Sequence, residues 1–236
     1  MKRYLPISLI LVFLTILAAG CGGPPAPEIT PESILENAVV YMCGLVGFEF
    51  QTSHTGPAVY LDADNSVQFI DAVGHYVSPD KALTKVKISV MGMVTEITVI
   101  SLEDVQWGRN PLSGAYQELD SAYLLKPTQY FDPTAGFFPS LGSGTYELVL
   151  VGEEELEEMP GVTLTHLSGI IPGAMISEIS NELIIVESMA ADMWVDTTTN
   201  QVHRVVLTDL AGEGEGYSTW QFNFWSFGAT VEITAP

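Results

Sequence analysis

From Phe48 onward, apolar and polar residues take turns with a period of two. That alternation confines the chain to half-buried strands of an antiparallel sheet. Phe48 and Phe50 flank Glu49, and Val67 and Phe69 flank Gln68. Val86, Ile88 and Val90 interleave with Lys87 and Ser89, and Ile97 and Val99 answer them beyond a turn at Met91-Gly92. Tyr146-Leu148-Leu150, Leu164–Leu167, Leu183–Val186, Met193–Val195, Val205–Leu207 and Trp220-Phe222-Phe224 continue the pattern, and Val231 and Ile233 close it. Connections this short predict a meander of roughly ten strands.

Helices are scarce. Thr30-Pro31-Glu32 combines an N-cap residue, proline at the first helical position and acid in the first turn, which predicts a helix over Pro31–Met42. Two more are expected near Pro133–Leu141 and Pro172–Ile179. The fold class is therefore α+β. So few helices cover the apolar face of such a sheet only if the sheet curls around them, and a curled sheet leaves room for a cavity. The inward phase carries Phe48, Phe50, Phe69, Trp220, Phe222 and Phe224, with Phe137 and Phe138 on the covering helix. A tight core and a ligand cavity are both compatible with that inventory.

The charge excludes one class of partner. The chain has 8 Lys and Arg against 29 Asp and Glu. Without Lys2 and Arg3 the balance is 6 − 29 = −23. Binding to nucleic acid needs a basic face, so no nucleic-acid partner is expected. Cys21 and Cys43 are the two cysteines, and Cys43 lies in the apolar run VVYMCGLVGF, as a buried inert thiol would.

Motifs for catalysis are missing. The sequence has no G-x-S-x-G, P-loop or H-E-x-x-H, and His54, His75, His166 and His203 have no zinc spacing. Asp62-Ala63-Asp64-Asn65 lacks the glycine and closing glutamate of a calcium loop and is expected to be a hairpin turn. Gly212-Glu213-Gly214-Glu215-Gly216 opens no helix and is expected to be a hairpin loop. Glu153–Glu158 is expected to be a solvated acidic loop rather than a cation site. No cofactor, metal or enzymatic activity is expected.

The amino terminus has a different character. Lys2 and Arg3 precede an apolar run from Leu5 to Ala19, too short to span a bilayer, which needs roughly 20 residues. Leu17-Ala18-Ala19-Gly20-Cys21 resembles the lipobox of bacterial lipoproteins. The resemblance implies a signal peptide over 1–20, cleavage before Cys21 and acylation of its thiol. A Gly/Pro tether over 21–30 and one domain over 31–236 follow, outside the cytoplasm and anchored to a membrane.

Several segments together resemble the LppX/LprG type of bacterial lipoproteins, related in fold to the carrier LolA. They are ESILENAVVYM, GHYVSPDKALTKVKISVMGMVTEITVI, NPLSGAYQEL, YFDPTAGFFPSL, YELVLVGEEELEEMPGVTLTHLSGII, MWVDTTTNQVHRVVL and FWSFGATVEITAP. The heavy negative charge and the acidic stretch Glu153–Glu158 depart from the pattern. The resemblance implies a strongly curved half-barrel, its concave face covered by helices over an apolar cavity. It also implies a carrier of lipid or glycolipid acyl chains across the cell envelope, with an envelope transporter as a further partner. A lipid-sensing regulatory protein of the same fold is the alternative. The expected cavity residues are Phe48, Phe50, Phe69, Val86, Ile88, Val90, Ile97 and Val99 on the sheet, with Phe137, Phe138 and Leu141 above them.

Overall fold

The computed structural model describes residues 29–119, 126–210 and 217–236. The signal segment, Cys21, most of the tether and the loop Gly212–Gly216 lie outside the described residues.

Helix α1, Pro31–Cys43, starts where its capping residues put it. Thr30 Oγ1 accepts from the Ser33 amide at 3.2 Å and Ser33 Oγ accepts from the Thr30 amide at 3.1 Å, satisfying two end donors reciprocally. Strands β1 (Gly47–Thr55), β2 (Val67–Val77), β3 (Lys81–Val90) and β4 (Met93–Leu102) follow as a meander, extended by β5 (Val105–Arg109) and β6 (Tyr116–Glu118). Helices α2 (Pro127–Tyr130) and α3 (Phe137–Gly144) come next, then β7 (Tyr146–Glu155) and β8 (Thr163–Pro172). Helix α4 (Gly173–Ile179), β9 (Ser188–Asp196), β10 (Gln201–Asp209) and β11 (Thr219–Trp225) complete the fold.

The eleven strands among the described residues join one antiparallel sheet in the order β6-β5-β4-β3-β2-β1-β11-β10-β9-β8-β7, which does not close into a barrel. Its curvature follows from the cover. Helix α2 packs on β3 and β4, and α4 packs on β8 and β9. Strands β4 and β9 are six positions apart, about 29 Å in a flat sheet. Yet α2 and α4 touch, with Gln129 Nε2 donating to the Glu178 carbonyl at 3.5 Å. Only a strongly curled sheet allows both contacts, so the α+β half-barrel expected from the sequence is the fold observed.

Several local expectations need correction. Leu183–Val186 forms no strand, because α4 ends at Ile179 and the segment folds over the concave face, where Leu183 and Ile184 pack against the core. Val231 and Ile233 lie in irregular backbone. The helix expected from Pro133 starts at Phe137, since Asp132 Oδ1 accepts from the Thr134 and Ala135 amides at 2.7 and 2.9 Å and closes a turn first. Strands β5 and β6 escaped the periodicity because they are short. Glu153–Glu155 belong to β7 rather than to a loop, and Glu158 Oε1 pairs with Arg204 Nη2 at 3.0 Å. Asp62 does form the expected turn, its Oδ1 accepting from the Ser66 and Val67 amides at 2.9 and 2.8 Å.

Candidate functional site

The concave face is aromatic at its centre. The ring of Phe131, just past α2, packs onto side chains of β1 and β11 and lies 5.2 Å from Phe48, 4.7 Å from Phe50 and 6.0 Å from Phe224. Phe138 of α3 packs 5.1 Å from Phe224. Edge and tilted contacts of this kind add to the burial of the rings.

Beside the cluster lies an apolar cavity of about 50 Å³. Its sheet wall is Phe50, Thr52, Phe69, Ala72, Thr84, Leu207, Trp220 and Phe222. Its cover comes from α2 and the residue after it, from Phe137, from Ile176 and Ile179 of α4, and from the turn that carries Leu183 and Ile184. Among the described residues no charged side chain lines it. Two polar atoms on the wall are fully buried without a hydrogen-bond partner, Thr84 Oγ1 and Trp220 Nε1.

Of the residues expected from sequence, Phe50, Phe69 and Phe137 line the cavity. Phe48, Val86, Ile88, Val99, Phe138 and Leu141 are buried in the core around it, and Val90 and Ile97 are partly buried against that core. Sequence reasoning missed Thr84, Phe131, Ile176, Ile179, Leu183 and Ile184. Ile176 and Ile179, three apart on α4, carried a usable helical signal. Thr84 continues the inward phase of Val86 and Ile88, whereas Phe131, Leu183 and Ile184 carried none.

The titratable groups cluster elsewhere. On the outer face, His166 Nδ1 lies 2.8 Å from Glu154 and Nε2 lies 3.0 Å from Asp192, while Trp194 stacks on the ring with centroids 4.4 Å apart. Among the described residues no group of three or more His, Cys, Asp or Glu is arranged to hold a metal ion. Cys43 is half-buried rather than fully buried as expected, and burial pushes its thiol up, with the Asp132 carboxylate adding to the shift. Burial also lowers His54 and His203 below the usual histidine range.

Comparison with known proteins agrees with this architecture. The structure is similar to that of LprF from Mycobacterium bovis, with a TM-score of 0.65 and 16% identity, covering 91% of this chain and 99% of that one. It is also similar to the lipoprotein LppX of Mycobacterium tuberculosis, with a TM-score of 0.60 and 14% identity over 86% and 98% of the two chains. A LolA-superfamily protein of Nitrosomonas europaea is a remoter likeness, 10% identical with a TM-score of 0.28 over 85% and 93%. No curated protein sequence matches the chain. The LppX_LprAFG lipoprotein model matches residues 35–233, from the first buried turn of α1 to the last buried residue, Ile233, and the chain belongs to that family.

Proposed function

We propose that this protein is an anchored extracytoplasmic carrier that takes the acyl chains of lipids or glycolipids into the concave cavity and moves them across the cell envelope. Cys21 carries the lipid anchor, residues 21–30 are the tether, and residues 31–236 are the lipid-binding domain. The observation that carries this reading is an aromatic-walled cavity without a charged lining residue among the described residues, roofed by short elements rather than by a second sheet. Apolar surface removed from water stabilises a bound chain by about 25 cal/mol per Å².

At about 50 Å³ the cavity is far smaller than the roughly 300 Å³ at which ligand pockets begin, so an acyl chain enters only if the roof moves. The roof is built for that. Helix α2 is a single turn, and among the groups that tie it to the rest of the fold are Thr128 Oγ1, which donates to the Glu103 carbonyl at 3.3 Å, and the Gln129 bond to α4 at 3.5 Å. Such elements open at the low end of a protein's local stabilities. An envelope transporter is a fitting partner at the delivery step.

Native mass spectrometry of the chain purified from cells, followed by lipid extraction, tests the proposal. Bound lipid is expected on the wild type and absent from Phe50→Lys, provided that circular dichroism shows the variant folded. A folded wild type that takes up no lipid in any preparation would refute the carrier.

A further inference from the structure

We propose that the β3–β4 hairpin tip is a docking element that enters the apolar margin of an uncharged or zwitterionic lipid surface. The inference rests on the carrier reading above and on anchoring at Cys21.

The turn breaks two local rules at once. Val90 pairs with Met93, so Met91-Gly92 is a two-residue turn, and both residues have left-handed φ, +51° and +79°. Such turns favour Asn or Asp at the first position, where methionine is a poor conformational choice. Met91 is nonetheless 90% exposed, with Met93 at 69% and Val94 at 63%. From Ser89 to Thr95 the hairpin carries no charge in a protein of net charge −21. Nothing in the fold rewards an apolar tip there. At the opposite end of β4 the equivalent two-residue turn is Glu103-Asp104, as a water-facing turn should be.

The register shows which end of the molecule faces the anchor. Val67 pairs with Val90, Thr55 with Thr219, Met189 with Asp209 and Pro172 with Ser188, so the Met91 turn shares its rim with the start of β7. Helix α1 begins at that rim, where Glu32 and Glu36 share a cleft with Tyr146 and Glu147. It ends at the other, where Gln201 Nε2 donates to the Tyr41 hydroxyl at 3.1 Å. The chain therefore enters the domain from the Met91 end. The nine residues from Cys21 to Ile29 reach at most about 30 Å when fully extended, which holds this rim near the anchoring surface. Ile185, 78% exposed and next to the cavity residue Ile184, lies just before β9 at the same end. The Asp62–Asn65 turn also lies at this end, which limits contact to the hairpin tip and disfavours an anionic surface.

Peroxide oxidation of methionines on the whole chain tests this, read by peptide mass spectrometry on material floated with phosphatidylcholine vesicles. In water, Met91 and Met93 should oxidise ahead of the half-buried Met159, which lies in the turn at the opposite end. On vesicles the order is expected to invert, with Met91 and Met93 slowed about tenfold. Met91→Asn is expected to raise Tm, since it suits the turn, and yet to cost Met93 its protection on vesicles, a loss read by the same oxidation on protein floated in equal amount. A merely structural hairpin would show the rise without the loss. Met91 still oxidising fastest on vesicles would overturn the docking. A protected tip on a chain that extracts no lipid would uphold docking and remove the carrier reading. Lipid uptake with an unprotected tip would do the reverse.

Discussion

Gly74 of β2 stands directly opposite Thr84 of β3, and a Cβ on Gly74 would lie 3.0 Å from the Thr84 hydroxyl oxygen and 2.6 Å from the Leu83 carbonyl oxygen. The two strands meet this closely because one of them has no side chain at that point. Backbone cannot move aside as a flexible side chain can. Gly74→Ala is therefore expected to destabilise the domain by about 2 kcal/mol, lowering Tm by roughly 4–8 °C in a scanning-calorimetry comparison with wild type. An unchanged Tm would mean that the sheet relaxes freely here.

The same threonine carries a hydroxyl that finds no partner although Thr84 is only 1% exposed. Thr84→Val keeps the branched shape and removes the group that has lost its water. The expected gain is about 1 kcal/mol in urea unfolding. A loss of similar size would show that the hydroxyl is hydrogen-bonded in solution.

Cavity volume and stability should separate at Ala72. Its methyl lines the cavity wall from β2 and is 2% exposed. Ala72→Leu puts apolar atoms into space that would otherwise serve a ligand. Tm is expected to stay within about 4 °C of wild type, because filling a void offsets any strain. Lipid recovered by extraction should fall to background. Wild-type lipid content in a well-folded Ala72→Leu protein would place the acyl chains elsewhere.

Two histidines set a pH dependence. His54 packs tilted against Trp220 with ring centroids 4.6 Å apart and its Nε2 lies 3.0 Å from the Ser218 hydroxyl, while His203 meets Phe227 edge-on at 5.1 Å. Burial lowers both pKa values, against the opposing pull of Asp196 at His203. Below about pH 6.5 the unfolded chain takes up protons that these folded sites refuse, so stability falls as pH drops. Above that pH their contribution is fully present. The double variant His54→Gln/His203→Gln should flatten the urea-unfolding free energy between pH 7.5 and pH 5, and an unchanged slope would assign the dependence to other groups.

What the sequence determined by itself is what depends on local spacing. Alternation at Phe48–Phe50 and Val86–Val90 is a property of a few consecutive residues, because successive side chains on a strand point to opposite faces. The Thr30-Pro31 start of α1 is equally local, since one side chain and one backbone amide satisfy each other within a turn. Phe50 and Phe69 were legible as cavity residues for that reason, being large and inward on strands that had to curl. The roof was not legible. Phe131, Leu183 and Ile184 sit in segments of one turn or of irregular backbone, where no period exists to be read. Leu183–Val186 even imitates a strand, and only its packing over the concave face keeps it from pairing. Which end carries the apolar tip was likewise hidden, because Met91-Gly92 marks a turn whichever rim it occupies. The register of eleven strands decided that the tip shares its rim with the start of α1. Tertiary structure decided these points because each depends on pairings between residues distant in sequence, whose free energy exists only once the sheet has closed over its helices.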